Sequence, residues 1–496
     1  MNRFFAPSRH LPKNARPAVT PGSGGPVSRI LGISILVVAV SVLLASVTMT
    51  PTKRNIQVLA AAIFLGIVLI AHPRKALYFT LAVLPYPAYT TVGSTSALLI
   101  MALAALVMVK SRELQLPSPF YDKRIDTTLV GFGLAVLIAL YQVPPEFLHR
   151  ASTKTLGMIS AIVLFYVLVQ MIQKKEHLFA VLQVVTLAAA SLYLVGFLQS
   201  LFPDRPILPE FFKFSQKVAS MEEIRRGEVR VMATFSGYEL FAEFVALTLV
   251  LQYLQFRRAA NLNARLVRLG IIAVGFATLF ATATRSALII LVMGWVLITA
   301  FSPGIIKRKS LLQLAFLGMA LFYLSLPFFG GYYDLMLERF DLFKTSQDVQ
   351  NLSGRTEVFA HALEDISNRP LRGHGFYEAE GMFPGWVSMN IHNLYLSIAH
   401  KLGIPALVLF MAFVGTLLLD AFRMMRHPGV SRDLRMCLLF LFAVVVMLLV
   451  DQFKIEFTRD PLPMHTTFTL FGLTAAAIRL ARKEVALGTA GVQSSN

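Results

Sequence analysis

Arginines and histidines next to long apolar runs are the residues of this sequence with the clearest potential for chemistry. Arg230 comes about one turn before an apolar run, Arg285 lies between two apolar runs in ATATRSALII, and His392 precedes a third. A guanidinium keeps its charge and can hold phosphate oxygens with a planar fork, whereas an imidazole, with an ordinary pKa of about 6.5, can accept a proton. The alternatives are a helix-end arginine that anchors at the membrane surface and a hydrogen-bonded interfacial histidine.

A further cation, Arg355, lies in the segment LSGRTEVFAHALEDISNRPLRGHGF. Ser353 is the predicted N-cap of a helix that ends at Asn368 and Pro370. Arg355 would then lie in the first turn, where free N–H groups and the helix dipole favour an anion. A cation at this position is unfavourable unless an anion binds beside it, and a diphosphate would suit both the helix terminus and the arginine. The spacing predicts one apolar stripe on an amphipathic helix, formed by Val358, Phe359, Ala362, Leu363 and Ile366.

Polar residues near these cations could position a second substrate. Glu239 and Glu243 are four residues apart and share a helical face. They could pair with arginines in a polar cavity, form a proton relay, or be a buried structural pair. Asp451 could orient His392 or pair with an arginine, and Asn393 follows His392 directly. We therefore predict acceptor or positioning roles for Asn393, Glu239 and Asp451.

No metal site is predicted. On one helix, His392 and His400 would be about 80° apart around the axis and roughly 12 Å apart along it, which excludes a shared ion. The single cysteine, Cys437, lies in an apolar run. His374, between Gly373 and Gly375, is interpreted as a turn residue.

These residues lie in a chain whose composition is typical of a polytopic membrane protein, with 56% hydrophobic residues and a mean hydropathy of +0.65. The net charge of +19 is spread over short loops, which favours a membrane over nucleic acid as partner. The prediction is an all-α polytopic membrane protein with about 14 transmembrane helices. The candidate spans are residues 30–49, 56–71, 75–91, 95–109, 127–142, 155–172, 178–200, 236–256, 268–283, 286–302, 311–329, 403–422, 434–451 and 463–480.

Lys and Arg are most frequent at the chain ends and in the loops after even-numbered spans, so both termini are predicted to be cytoplasmic. This orientation divides the chain into five parts. They are a disordered cytoplasmic tail (1–28), transmembrane helices 1 to 11 (29–329) with a periplasmic loop at 202–235, a large periplasmic loop with a short re-entry helix (330–402), transmembrane helices 12 to 14 (403–481) and a cytoplasmic tail (482–496).

Four segments resemble, in order and spacing, the signature segments of the bacterial O-antigen ligase and polysaccharide polymerase superfamily. The resemblance covers about residues 225 to 420, and Tyr238 and Glu239 stand where relatives often have Asn or His. The segments are RVMATFSGYELFAEFVALTL, ATATRSALII, SGRTEVFAHALEDISNRPLRGHGF and IHNLYLSIAHKLGIPALVLF.

The resemblance implies a GT-C-like, metal-independent, inverting glycosyltransferase without a cofactor, in the bacterial inner membrane with a periplasmic active site. It implies an undecaprenyl-diphosphate-linked glycan donor, a glycan or lipid A-core acceptor, contacts with membrane lipids, and chain-length regulator and export proteins as partners. His392 would be the catalytic base, and Arg230, Arg285 and Arg355 would bind the diphosphate.

Three functions remain open at this point. A polymerase would join lipid-linked repeat units into an exopolysaccharide or O-antigen, and a ligase would transfer the glycan to lipid A-core or protein. A lipid-linked oligosaccharide flippase or transporter should carry ionisable residues near the bilayer midplane. In this sequence the cations instead gather at one predicted edge of the membrane, which favours an enzyme.

Overall fold

The computed structural model of the 496-residue chain describes residues 72–87, 94–118, 120–202, 207, 230–302, 346–377 and 391–493. The predicted tail 1–28, the predicted spans 30–49, 56–71 and 311–329, and most of the loop 202–235 lie outside these ranges.

Thirteen α-helices and no strand occur in the described ranges. The helices are α1 (Pro73–Val83), α2 (Thr95–Lys110), α3 (Lys123–Ile138), α4 (Leu148–Met171), α5 (Lys175–Leu201), α6 (Tyr238–Arg258), α7 (Leu262–Ala281), α8 (Arg285–Ala300), α9 (Ser346–Asn368), α10 (Leu394–Leu402), α11 (Ile404–Arg426), α12 (Arg432–Asp451) and α13 (Pro461–Gln493). The all-α prediction is therefore confirmed.

Seven described helical stretches are long and apolar enough to cross a membrane, and α2 and α8 are shorter apolar helices. This confirms a multi-pass membrane protein, while the count of about 14 spans stays a prediction. The seven are Lys123–Gln142, Pro145–Met171, Lys175–Leu201, Tyr238–Arg258, Leu262–Ala281, Ile404–Arg426 and Arg432–Asp451.

Helix α6 lies at the centre of the bundle, where it packs against α5, α7, α8 and α12. In its apolar stretch 89% of the residues are buried within the described part of the chain, compared with 28% in α7. Polar groups on α6 must therefore find partners inside the protein. Tyr193 of α5 does so for Thr248, because its hydroxyl donates to Thr248 Oγ1 over 2.7 Å.

Ion pairs between basic and acidic side chains hold one end of the bundle together. Arg482 of α13 contacts Asp420 of α11 at 2.5 Å and Asp122, just before α3, at 3.0 Å. Lys175 at the start of α5 pairs with Glu484 of α13. The twenty residues of α12 rise about 30 Å, so Asp451 lies at the opposite end of the bundle, away from these pairs.

Candidate functional site

Four chain segments meet at the Asp451 end of the bundle. The starts of α6 and α8 are joined by Lys454, whose ammonium lies 3.5 Å from Glu239 and donates to Ser286 Oγ over 3.0 Å. Asp451 is buried beside Lys454 and Glu239. The start of α10 joins the same segment, because Asn393 Nδ2 donates to the carbonyl of Phe453 over 3.1 Å.

Arg230 and Arg285 come together at this end although they belong to different segments. The Arg230 guanidinium lies over the Tyr238 ring, 4.1 Å from its centroid. Burial lowers the pKa of Arg230 and the positive charge of Arg285 lowers it further, while Tyr238 and Glu239 act in the opposite direction. Two neighbouring cations repel each other, so an anion placed between them would be stabilised.

The backbone is strained at three of the segments that carry the site. His392 has a φ of +50°, Ala233 a φ of +47° and Ala283 a φ of +49°, a region that non-glycine residues rarely adopt. Ala233 follows Arg230 by three residues and Ala283 precedes Arg285 by two. Such a conformation costs on the order of 1 to 3 kcal/mol and persists where the surroundings enforce it, which is common at functional sites.

Helix α10 starts directly after His392, and Asn393 is its N-cap. The Asn393 side-chain oxygen accepts from the N–H of Leu396 over 3.0 Å, while its amide group is held by Phe453. The N–H of Leu394 donates to the carbonyl of Gln452 over 2.9 Å. These bonds fix the residues on the C-terminal side of His392 and so fix the exit direction of the chain from the histidine.

Gln452 is a buried polar residue at this end of the bundle that sequence reasoning missed. Its side-chain amide donates to Glu243 Oε1 over 2.6 Å, and its side-chain oxygen accepts from the N–H of Phe457 over 2.8 Å. Gln452 and Glu243 are both buried. Glu239 contacts Lys454, whereas Glu243 contacts Gln452. Each of the two carboxylates therefore binds a different residue of the segment after α12. The polar run DQFK at the end of an apolar helix was the available signal.

The C-terminal end of α10 is held by a buried ion pair. Lys401 lies 3.4 Å from Glu456, and both side chains are buried. Desolvation would raise the pKa of Glu456, but the positive charge of Lys401, with smaller contributions from Lys154 and Arg459, lowers it to about 2. Lys401 is therefore held by a buried partner that lies 55 residues further along the sequence.

The predicted amphipathic helix exists as α9, with one error at its start. It ends at Asn368 as predicted but begins at Ser346, so Ser353 is not the N-cap and Arg355 is not in the first turn. The helix-dipole argument for an anion at Arg355 is therefore lost. Arg355 precedes Val358 by one turn on a helix that packs against α10.

The apolar stripe of α9 docks beside the candidate base. Val358 and Ala362 form a buried cluster with Ile391, the residue before His392, and Phe359 packs against it. Leu363, predicted for the same stripe, is 56% exposed. The stripe is thus narrower than its sequence pattern indicates, and it approaches the residue that precedes His392.

The turn after α9 is bonded to the last turn of α10. The N–H groups of His374 and Gly375 donate to the carbonyls of His400 and Lys401 over 2.9 and 3.0 Å. Gly373, at φ +67°, approaches so closely that a Cβ there would lie 2.5 Å from the Lys401 carbonyl carbon. The positive φ of Gly373 and Gly375 confirms that this segment turns sharply.

His400 is separated from His392 by the length of α10 and instead meets two residues from the α9 region. His400 Nε2 lies 3.1 Å from Asp365 Oδ2, and His374 Nε2 lies 3.0 Å from the Asp365 carbonyl oxygen. The two imidazoles are stacked, with centroids 4.8 Å apart. Spacing along the chain could not show this cluster.

The described structure thus places Arg230, Glu239, Arg285 and Asp451 at one end of the bundle. It also joins the helix that follows His392 and Asn393 to that end. Arg355 lies on α9, one turn before a residue in contact with Ile391.

One family model matches part of this chain. Residues 269–411 match the family model described as O-antigen ligase. The matched region contains Arg285, Arg355, His392 and Asn393, and Arg230 and Glu239 precede it. A comparison with curated proteins found no match. The match covers residues 269–411 of the 496-residue chain and supports, for this part of the chain, the resemblance to the O-antigen ligase and polymerase superfamily.

Proposed function

We propose that this protein polymerises undecaprenyl-diphosphate-linked oligosaccharide repeat units into an exopolysaccharide or O-antigen at the periplasmic face of the bacterial inner membrane. The donor glycan would be carried on the lipid diphosphate, and the acceptor would be a sugar hydroxyl of a second lipid-linked unit. The family match supports a membrane glycosyltransferase of the O-antigen ligase and polymerase type.

One observation carries the proposal: two half-buried arginines from separate segments lie within electrostatic reach of each other at the end of the bundle to which the His392 segment is bonded. A diphosphate carries negative charge on several oxygens, which suits two planar guanidinium groups. The cost of holding two cations near each other is offset when the diphosphate binds, and more so as its charge grows during bond cleavage.

In the proposed reaction, His392 takes the proton from the acceptor hydroxyl while that oxygen attacks the anomeric carbon of the donor. The bond between the anomeric carbon and the diphosphate oxygen breaks, and the electron pair leaves with the lipid diphosphate. Arg230, Arg285 and Arg355 stabilise the leaving group. The new glycosidic bond has the inverted configuration because attack comes from the face opposite the leaving group.

The remaining site residues would position the acceptor and the base. Lys454 lies between Glu239 and Ser286, which gives the site hydrogen-bonding groups suited to sugar hydroxyls. Asn393 and Gln452 hold the start of α10 and so determine where the His392 imidazole can reach. No metal ion has a role in this mechanism, since the arginines supply the stabilising charge.

The proposed orientation follows from the distribution of charge. The ion-paired, arginine-rich end with Arg482 and Lys175 would face the cytoplasm, as the positive-inside rule predicts. The end with Arg230 and Arg285 would then face the periplasm, together with the loops at 202–235 and 330–402.

A ligase that transfers the glycan to lipid A-core or protein is the second candidate, because the same donor chemistry serves both reactions. Residues 269–411 match a model described as O-antigen ligase, and this description favours it. The two functions differ in the acceptor. The lipid-linked species that accumulate after deletion separate them: single repeat units indicate a polymerase, and long lipid-linked chains indicate a ligase.

The direct test uses purified protein in proteoliposomes with lipid-linked repeat units. Arg230→Ala and Arg285→Ala should abolish chain growth at unchanged protein abundance. Arg372→Ala removes an exposed arginine of the turn after α9 and should leave it unchanged. Normal growth with either of the first two variants refutes the proposed diphosphate site. Glycan that crosses the membrane without chain growth would favour a flippase.

A further inference from the structure

A cluster of metal-ligating side chains lies outside the proposed catalytic site. One ligand atom from each of Asp365, His374 and His400 lies within 4.8 Å of the other two. Asp365 comes from α9, His374 from the turn that follows it, and His400 from the last turn of α10. The mechanism uses none of the three.

The donor set suits a borderline metal ion. Two imidazole nitrogens and one carboxylate oxygen are ligands that Zn²⁺ takes in proteins, with a water molecule in the fourth position. With bonds of about 2.0 to 2.1 Å, tetrahedral ligands lie roughly 3.3 Å apart. Ligand atoms within 4.8 Å of one another therefore need to close by at most about 1.5 Å, within reach of side-chain rotation.

Both imidazoles lie against the same residue, Asp365. Nε2 of His400 and Nε2 of His374 both lie near Asp365, at 3.1 Å from Oδ2 and 3.0 Å from the backbone oxygen. The stacked rings are 15° from parallel. Because the N–H of His374 donates to the carbonyl of His400 over 2.9 Å, the two histidine backbones are fixed relative to each other before any ion arrives.

His400 has capacity for a further ligand. Only 9% of its side-chain surface is exposed, and its Nδ1 has no hydrogen-bond partner among the described residues. A buried ring nitrogen without a partner is costly. A metal ion bound at Nδ1 would give this nitrogen a partner and remove that cost.

We propose that Asp365, His374 and His400 bind one Zn²⁺-class divalent transition metal ion, which fastens α9 to α10. The site lies at the opposite end of α10 from His392, so the ion has a structural role and takes no part in glycosyl transfer. It would hold α9 in place. The apolar stripe of α9 contacts Ile391, and Arg355 lies on the same helix, one turn before this stripe.

The test measures metal binding without glycan substrates, so its outcome does not depend on the proposed function. Protein carrying a tag free of histidine is treated with a chelator, dialysed, and titrated with Zn²⁺ against a competing chromophoric chelator. His374→Ala and Asp365→Asn are the site variants. His361→Ala is the matched control, because His361 is an exposed histidine of the same helix.

The wild type and His361→Ala should bind one equivalent of Zn²⁺, and both site variants should bind it at least about 100-fold more weakly. Co²⁺ bound to the wild type should give the visible absorption of a tetrahedral site. The two site variants should show this absorption only weakly. Zn²⁺ should also slow tryptic cleavage after Arg372, which lies exposed between two of the ligands. Equal affinity of the wild type and His374→Ala, or no bound equivalent in the wild type, overturns the proposal.

Discussion

Replacement of Lys401 by methionine tests how α10 is held, because it leaves Glu456 as a buried carboxylate without its main cation. Lys401 contributes most to lowering the Glu456 pKa, which falls from its ordinary value of 4.5 to about 2. At about 1.4 kcal/mol per pH unit, this fall corresponds to roughly 3 kcal/mol of stability. Removal of one partner of a buried ion pair costs about 3 to 5 kcal/mol in general, which agrees.

The assay is unfolding in mixed detergent and SDS micelles, followed by helix content. Lys401→Met should lose about 3 kcal/mol of unfolding free energy at pH 7. The double variant Lys401→Met with Glu456→Gln should recover at least about half of this loss, because no charge is left buried. Lys483→Met, an exposed lysine near the end of α13, is the control and should change stability by less than about 0.5 kcal/mol.

The pH dependence has a definite sign. The pKa of Glu456 is lower in the folded protein, so its contribution is complete above pH 4.5 and is lost as the pH falls toward 2. The difference between the wild type and the double variant, which has no titrating carboxyl at position 456, should therefore stay constant from pH 6 to 8 and shrink below about pH 4.5. A single variant as stable as the wild type, or a double variant no better than the single one, refutes the reasoning.

Three further predictions concern the site and its supports. Gly373→Ala should cost about 1 to 3 kcal/mol of unfolding free energy because of the positive φ of Gly373, and more because the added Cβ would meet the Lys401 carbonyl carbon. Gly270→Ala, with open space around it, should instead stabilise α7 by about 0.5 to 1 kcal/mol, and equal effects of the two variants in thermal unfolding would contradict this. Asn393→Ala should lose about 1 kcal/mol and also transfer activity, while the matched cap variant Asn261→Ala should lose only stability; unchanged activity in the first would contradict a positioning role. Arg285→Lys keeps the charge but not the planar fork, so turnover of lipid-linked donor should fall at least about 10-fold, and full activity would show that charge alone suffices.

Local patterns in the sequence predicted much of this structure. The hydropathy predicted the helical membrane architecture, and the helical spacing of Val358 and Ala362 predicted the buried stripe of α9. Pro370 predicted the end of that helix correctly. Its start was mispredicted because serine inside a helix and serine at an N-cap look alike in sequence, and the helix continues for two turns before Ser353.

Contacts between distant parts of the chain could not be predicted in this way. Lys401 looks like a surface lysine until Glu456 is placed against it. Gln452 belongs to no recognisable sequence motif. It connects three parts of the fold, because it bonds to Glu243 of α6, Leu394 of α10 and Phe457 in the segment before α13. His374 and Asp365 become neighbours of His400 only because the turn after α9 bonds to the end of α10.

The proposed general base provides the most direct test of the central claim. Purified wild type, His392→Ala and the control His361→Ala should be compared in proteoliposomes with lipid-linked repeat units, with donor consumed and glycan formed measured at equal folded protein. The account predicts that His392→Ala is slower by about 100- to 10,000-fold and still binds the undecaprenyl diphosphate donor, while His361→Ala matches the wild type. Turnover by His392→Ala at the wild-type rate would contradict it.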